Sequence, residues 1–217
     1  MNQIAVSIRL IFLFILFCVK SHAQNNTFNN ALIIKHDGTQ IECLARYPDM
    51  SDSKAIRYKL DKNSKTQRMK SNDIKTVRYL LRNNKVIEIE YHRYVSFFEM
   101  RGTGRKNVFA PEWLEVLVRG HLMLYVIEEI PLNSGRQRKT KSIQYHYYCK
   151  KENEEFASEI AYVLYKSGFL IYRMEEGDYF TNAPDIAKKI ENREEGYTAK
   201  DIISIVEEYN SFWKTFE

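Results

Sequence analysis

The segment ALIIKHDGTQIECLARY constrains the fold most, because two short apolar runs flank Asp37-Gly38. An Asp-Gly pair between such runs is a hairpin signal: Gly accepts the positive φ of a tight turn, and Asp bonds its own backbone. In the second run Ile41, Cys43, Ala45 and Tyr47 alternate with polar neighbours, which predicts one apolar and one wet face. The same grammar recurs downstream. AIRYKL ends in a polar turn, IKTVRYLL and KVIEIEYHRY flank Asn83-Asn84, and WLEVLVRGHLMLYVIEEI turns at Gly120. SIQYHYYCKK closes the series, with Ile143, Tyr145, Tyr147 and Cys149 on one predicted face. Seven or eight short strands with short connections pair antiparallel.

The period changes towards the end of the chain. EEFASEIAYVLYKSGF places Phe156, Ile160, Val163 and Leu164 at helical spacing. TNAPDIAKKIEN follows, with Asn182 as expected N-cap and Pro184 in the first turn. TAKDIISIVEEYNSFW opens on Thr198 and Asp201, a loose capping box, and carries an Ile202, Ile205, Val206, Tyr209 and Trp213 stripe. The expected class is α+β: an antiparallel β-sheet or partly closed barrel followed by two or three C-terminal helices.

The start of the chain reads as an address. Arg9 precedes an unbroken apolar run from Leu10 to Val19, ten residues, and Ser21 and Ala23 are small. A spanning helix needs roughly 20 residues, so the expectation for 1–23 is a secretory signal peptide cut after Ala23. No transmembrane anchor is then expected in the mature chain. Cys18 as a lipidation site is the alternative, and its bulky neighbour Phe17 argues against it. The implied compartment is the periplasm or outer surface of a Gram-negative bacterium.

Charge divides the remainder unevenly. Residues 24–151 hold 24 Lys/Arg against 13 Asp/Glu, and residues 152–217 hold 7 against 15. The expected organisation is a basic antiparallel β domain over 24–151 with an acidic helical segment, 152–217, packing on it. A basic face kept for an anionic polymer or lipid is the sharper reading. Its candidate residues are Arg101, Arg105 and Lys106 in RGTGRK, and Arg136, Arg138, Lys139 and Lys141 in GRQRKTK. Nucleic acid is not expected, since no nucleic-acid motif is present.

Other chemistry is sparse. Cys43 and Cys149 lie on apolar strand faces, either as a disulfide in an oxidising compartment or as two buried thiols. His36, His92, His121 and His146 lack metal-ligand spacing and read as wet-face or loop residues. Neither a metal nor a cofactor is expected. Glu88 and Glu90 share a predicted wet face as solvated acids, and Trp113, Tyr94 and Tyr148 are candidates to stack on sugar rings or simply to pack. No catalytic residues stand out. A non-catalytic envelope module that binds a partner protein or polymer is the favoured function, and a small hydrolase of envelope or dietary polymers the alternative.

DYFTNAPDIAKKI and GYTAKDIISIVEEYN resemble the C-terminal part of a recurrent family of exported, uncharacterised Gram-negative envelope proteins. That family ends in a Y-F-x-D-C-P-x-L helix and a second helix finishing in Tyr-Asn. The matching positions are Tyr179, Phe180, Pro184, Ile186, Tyr209 and Asn210; KHDGTQIECLARY, NDIKTVRY and FAPEWLEVLVRGHLMLYVIEE carry the likeness forward. Asn182 and Ala183 stand where the family has Asp-Cys, so no cysteine chemistry is implied there. The resemblance implies an envelope location and no activity.

Overall fold

The structure is a computed structural model that describes residues 27–48, 54–81, 84–95, 108–129, 143–166, 169–174 and 178–215. Residues 1–23, read from the sequence as a signal peptide, lie outside the described residues together with Cys18. Two compact units divide between Val86 and Ile87.

The first unit contains five antiparallel strands: β1 (Phe28–Lys35), β2 (Gln40–Arg46), β3 (Ala55–Lys59), β4 (Gln67–Lys70) and β5 (Ile74–Leu80). Their order is β5-β1-β2-β3-β4. The expected hairpin joins β1 to β2. Gly38 sits at φ 84°, its N–H reaches Lys35 O, and Thr39 N–H donates to Asp37 Oδ1 at 2.9 Å. Register then sorts the side chains. Ala31 pairs with Cys43 and Tyr79, and Ile33 with Ile41 and Val77. Ala45 pairs with Tyr58, two residues from Ile56. Most of this face is buried, with Ile33, Ala45, Ile56 and Val77 fully so. Each buried aliphatic side chain contributes about 1.5–3 kcal/mol.

Strand β4 escapes a reading by alternation. Gln67, Arg68 and Lys70 are exposed and only Met69 is half-buried, so no apolar face announces it. Its pairing with β3 alone makes it a strand at the end of the order. Charged, short strands suit that position, where an unpaired edge would otherwise recruit other chains.

Apart from Val86, the last residue of the first unit, the second unit carries β6 (Val86–His92), β7 (Tyr94–Val95), β8 (Glu112–Val118), β9 (Leu122–Glu129), β10 (Ile143–Lys151), β11 (Ala157–Lys166) and β12 (Phe169–Met174). Their order is β6-β8-β9-β10-β11-β12, and β7 pairs in parallel with the start of β11. Only Arg93 separates β6 from β7, and Arg93 O accepts from Ala157 N–H at 2.9 Å. A strand bonded to β8 at one end and β11 at the other requires a strongly curled sheet. It is not a closed barrel.

Two helices follow, α1 (Pro184–Glu191) and α2 (Ile202–Trp213), completing an α+β fold. They bury Ile186, Ile190, Ile202, Ile205, Val206 and Tyr209 against Leu122, Leu124, Cys149, Ile160 and Val163 of the sheet. Within the curl, Leu114, Tyr125, Ile127, Tyr148 and Ala157 form a second cluster. Among the described residues no helix is long and apolar enough to cross a membrane.

Several expectations are corrected here. Residues 157–166 form strand β11 rather than a helix. Helices cover one side of it and the curl the other, so Ala157, Glu159, Ile160, Ala161 and Val163 are all buried. A strand buried on both faces loses its alternation, and Ile160 and Val163 then imitate helical spacing. The same double cover buries His146 and Tyr148 on the side of β10 opposite Cys149. Asn182 does not cap α1: Ala183 occupies that position, makes no side-chain cap bond, and Pro184 opens the helix. The capping box does form, with Asp201 Oδ2 accepting from Thr198 N–H at 3.1 Å.

Candidate functional site

The basic residues singled out from the sequence, Arg101, Arg105, Lys106, Arg136, Arg138, Lys139 and Lys141, all lie outside the described residues. What the structure brings together is a different set of cations, on the second face of the first unit's sheet.

Register builds this face row by row. Phe28 pairs with Arg46, and Leu32 with Glu42 and Arg78. Asn30 pairs with Leu44 and Leu80, and Leu44 in turn with Lys59. Arg57 stands directly opposite Arg68, and Ala55 opposite Lys70. Six basic residues (Arg46, Arg57, Lys59, Arg68, Lys70 and Arg78) thus share a face on which Glu42 is the one paired acid among the described residues. Arg68, Lys70 and Arg78 are exposed, and Arg46, Arg57 and Lys59 half-buried. Sequence reading missed them because it looked for runs of charge. The available signal was spacing of two, Arg57 with Lys59 and Arg68 with Lys70, which on strands means one face.

One end of this face is concave. A depression of about 580 Å3 is lined by Phe28, Asn30, Leu44, Lys59, Lys62, Leu80 and Asn84 among others. Lys59 Nζ and Arg46 Cζ each lie 5.2 Å from the centre of the Phe28 ring. Cation–π attraction of about 0.5–1 kcal/mol per exposed pair offsets part of the repulsion between the two cations.

The second unit holds a separate polar cluster. Arg119 donates from Nη2 to Glu90 Oε1 at 2.8 Å and from Nε to Glu88 Oε2 at 2.7 Å. Tyr125 OH donates to Glu90 Oε2 at 2.9 Å, and His92 Nε2 lies 3.0 Å from the same oxygen. Glu90 is buried, against the expectation of a solvated acid, because the curl folds β9 and its Tyr125 over β6. Burial pushes the Glu90 carboxyl upward, yet the bonds from His92, Arg119 and Tyr125 and the Arg119 charge outweigh it and hold it at about 2. A carboxyl kept ionised and tied to Arg119, Tyr125 and His92 suits a clamp between strands better than a general acid, which needs a raised value.

His146 also departs from the wet-face reading. It is buried, with Nδ1 2.5 Å from Glu159 Oε1. His92 is half-buried in the Glu90 cluster, and His121 stacks on Trp213 at 4.4 Å between ring centres. His36 is exposed beside the first turn, as expected. Among the described residues no group of three His, Cys, Asp or Glu could hold a metal ion. Trp113 and Tyr148 are buried, and Tyr94 stacks on Phe109, so these rings serve as packing.

Cys43 and Cys149 are buried free thiols, each in its own unit. Burial pushes Cys43 up to about 11 and raises Cys149 strongly. Neither forms a thiolate near neutrality, so a thiol reagent should label neither in the folded chain from Gln24 and both after unfolding. Absence of both thiols after unfolding without reductant would show a bridge instead.

Comparison of the chain with protein-family models, with curated proteins and with solved structures returned no match.

Proposed function

We propose that this chain is a non-catalytic binding module of the cell envelope, and that the basic sheet face of its first unit holds an acidic polysaccharide. The observation that carries this reading is the pair Arg57–Arg68, set directly opposite one another with Lys59 and Lys70 on the same face. An acidic chain lying along this face would meet cations from β2, β3, β4 and β5 in turn. The cations spread over several strands rather than converging on one point, which suits a chain of repeated charges. The leader pattern of Arg9, Leu10 to Val19 and Ala23 supports the envelope as the place of work, as does the likeness to exported envelope proteins.

Titration with polygalacturonate tests the proposal. Binding should weaken steeply between about 10 and about 150 mM salt, as expected for surface charges. Replacing both Arg57→Gln and Arg68→Gln should lower affinity roughly fivefold or more. Unchanged affinity in that double variant overturns the reading. Binding to phosphatidylglycerol vesicles without binding to polygalacturonate overturns it in favour of a lipid surface.

A further inference from the structure

We infer that the depression beside Phe28 is a subsite for one acidic sugar residue, its carboxylate held by Lys59 and Lys62 and its hydroxyls by Asn30 and Asn84. This rests on the reading of the basic face as a polysaccharide surface and names what that surface recognises. Three observations carry it.

The first is the floor. One cross-strand row runs Lys59, Leu44, Asn30 and Leu80 over β3, β2, β1 and β5. Adjacent strands lie about 4.8 Å apart, so the row sets a cation, an apolar group, an amide and a second apolar group side by side along the floor. Its leucines offer the C–H face of a ring a dry surface, and its amide offers a hydroxyl both a donor and an acceptor. A bare polyanion such as polyphosphate has no use for Leu44 and Leu80. That mixture is why a charged sugar fits better than charge alone.

The second is that the rims are built rather than loose. Asp61 Oδ1 accepts from the N–H groups of Asn63 and Ser64, each at 2.8 Å, which fixes the turn carrying Lys62. On the other side Asn84 takes φ 59°, its N–H donates to Leu81 O at 3.0 Å, and Leu81 N–H donates to Lys85 O at 2.9 Å. A non-glycine residue in the left-handed region is uncommon, and Asn tolerates it best. The backbone that carries both polar rim residues is thus fixed by its own hydrogen bonds.

The third is the role of Phe28. With Arg46 and Lys59 each 5.2 Å from its ring centre, it holds two cations close to the floor. The volume of about 580 Å3 falls within the roughly 300–1,000 Å3 range of small-molecule sites.

The experiment compares two polymers of similar charge, polygalacturonate and poly-L-glutamate, on the full chain with Phe28→Leu and, separately, Lys62→Gln. Lys62 is exposed in its turn, so its variant keeps the fold even where Phe28→Leu does not, and melting curves separate the two cases. Both variants should weaken polygalacturonate binding roughly threefold to tenfold. Polyglutamate binding should stay within twofold of the unaltered chain, a change of about 0.4 kcal/mol. Equal weakening for both polymers overturns the sugar subsite and leaves the basic face standing, and so does unaltered polygalacturonate binding in both variants. Failure of the unaltered chain to bind polygalacturonate overturns both readings together.

Discussion

Asn210→Ala is expected to lower the stability of the second unit by about 3 kcal/mol, a fall of roughly 10 °C in Tm. Asn210 is buried in α2 and uses both ends of its amide on one residue of β9. Leu122 N–H donates to Asn210 Oδ1 at 2.8 Å, and Asn210 Nδ2 donates to Leu122 O at 2.9 Å. Leu122 is itself fully buried, so deletion of the amide leaves a backbone donor and acceptor without water or partner. Gly120 makes the contact possible. A Cβ there would come within 2.4 to 2.7 Å of three Asn210 side-chain atoms. Gly120→Ala therefore expels the amide and should cost about as much, although nothing strained in the Gly120 backbone requires glycine. In a double-mutant cycle, Gly120→Ala should add less than about 1 kcal/mol once Asn210 is already Ala. Additive costs measured by thermal or urea unfolding would contradict the account.

Glu90→Gln is the second large effect. Its carboxyl falls from an ordinary 4.5 to about 2 in the folded protein. A depressed acid contributes stability that is fully present above its unfolded value. That contribution drains away as pH drops from about 4.5 through about 2. The size of the shift corresponds to at most about 3 kcal/mol. Glu90→Gln should thus destabilise the second unit at neutral pH by about 2–3 kcal/mol and flatten its acid limb, because Arg119 loses one of its two charged partners. Urea midpoints measured from pH 7 to pH 2 distinguish the cases. Parallel acid limbs in the two proteins would show that Glu90 does not clamp these strands.

How far the sequence led can be judged from these same residues. The β1–β2 hairpin was legible because Asp37-Gly38 carries its own turn chemistry, and the Thr198–Asp201 box because a cap is local. The strands either side of Gly120 were legible too, but not the reason for the glycine, since the Asn210 that meets it binds Leu122 from 88 residues further along the chain. Strand β11 was hidden by being covered on both sides, which erases period two. Glu90 looked solvated because the partners that bury it, Arg119 and Tyr125, are 29 and 35 residues away.

The candidate site shows the same limit. Runs of basic residues drew attention to 101–106 and 135–141, whereas register places Arg57 opposite Arg68 and Phe28 opposite Arg46. Pairing register is a non-local property, and no window on the sequence contains it. The resemblance pointed to Tyr209 and Asn210 without a physical role. The geometry supplies one for Asn210, the clasp on Leu122.

The most direct test of the central claim is a map of backbone amide shifts while polygalacturonate is added to the isotopically labelled chain. The account predicts the largest shifts in β3 and β4, around Arg57, Lys59, Arg68 and Lys70, and at the Phe28 end of β1, fading as salt is raised. Shifts confined to Arg101–Lys106 or Arg136–Lys141, with the first unit's sheet unmoved, would contradict it.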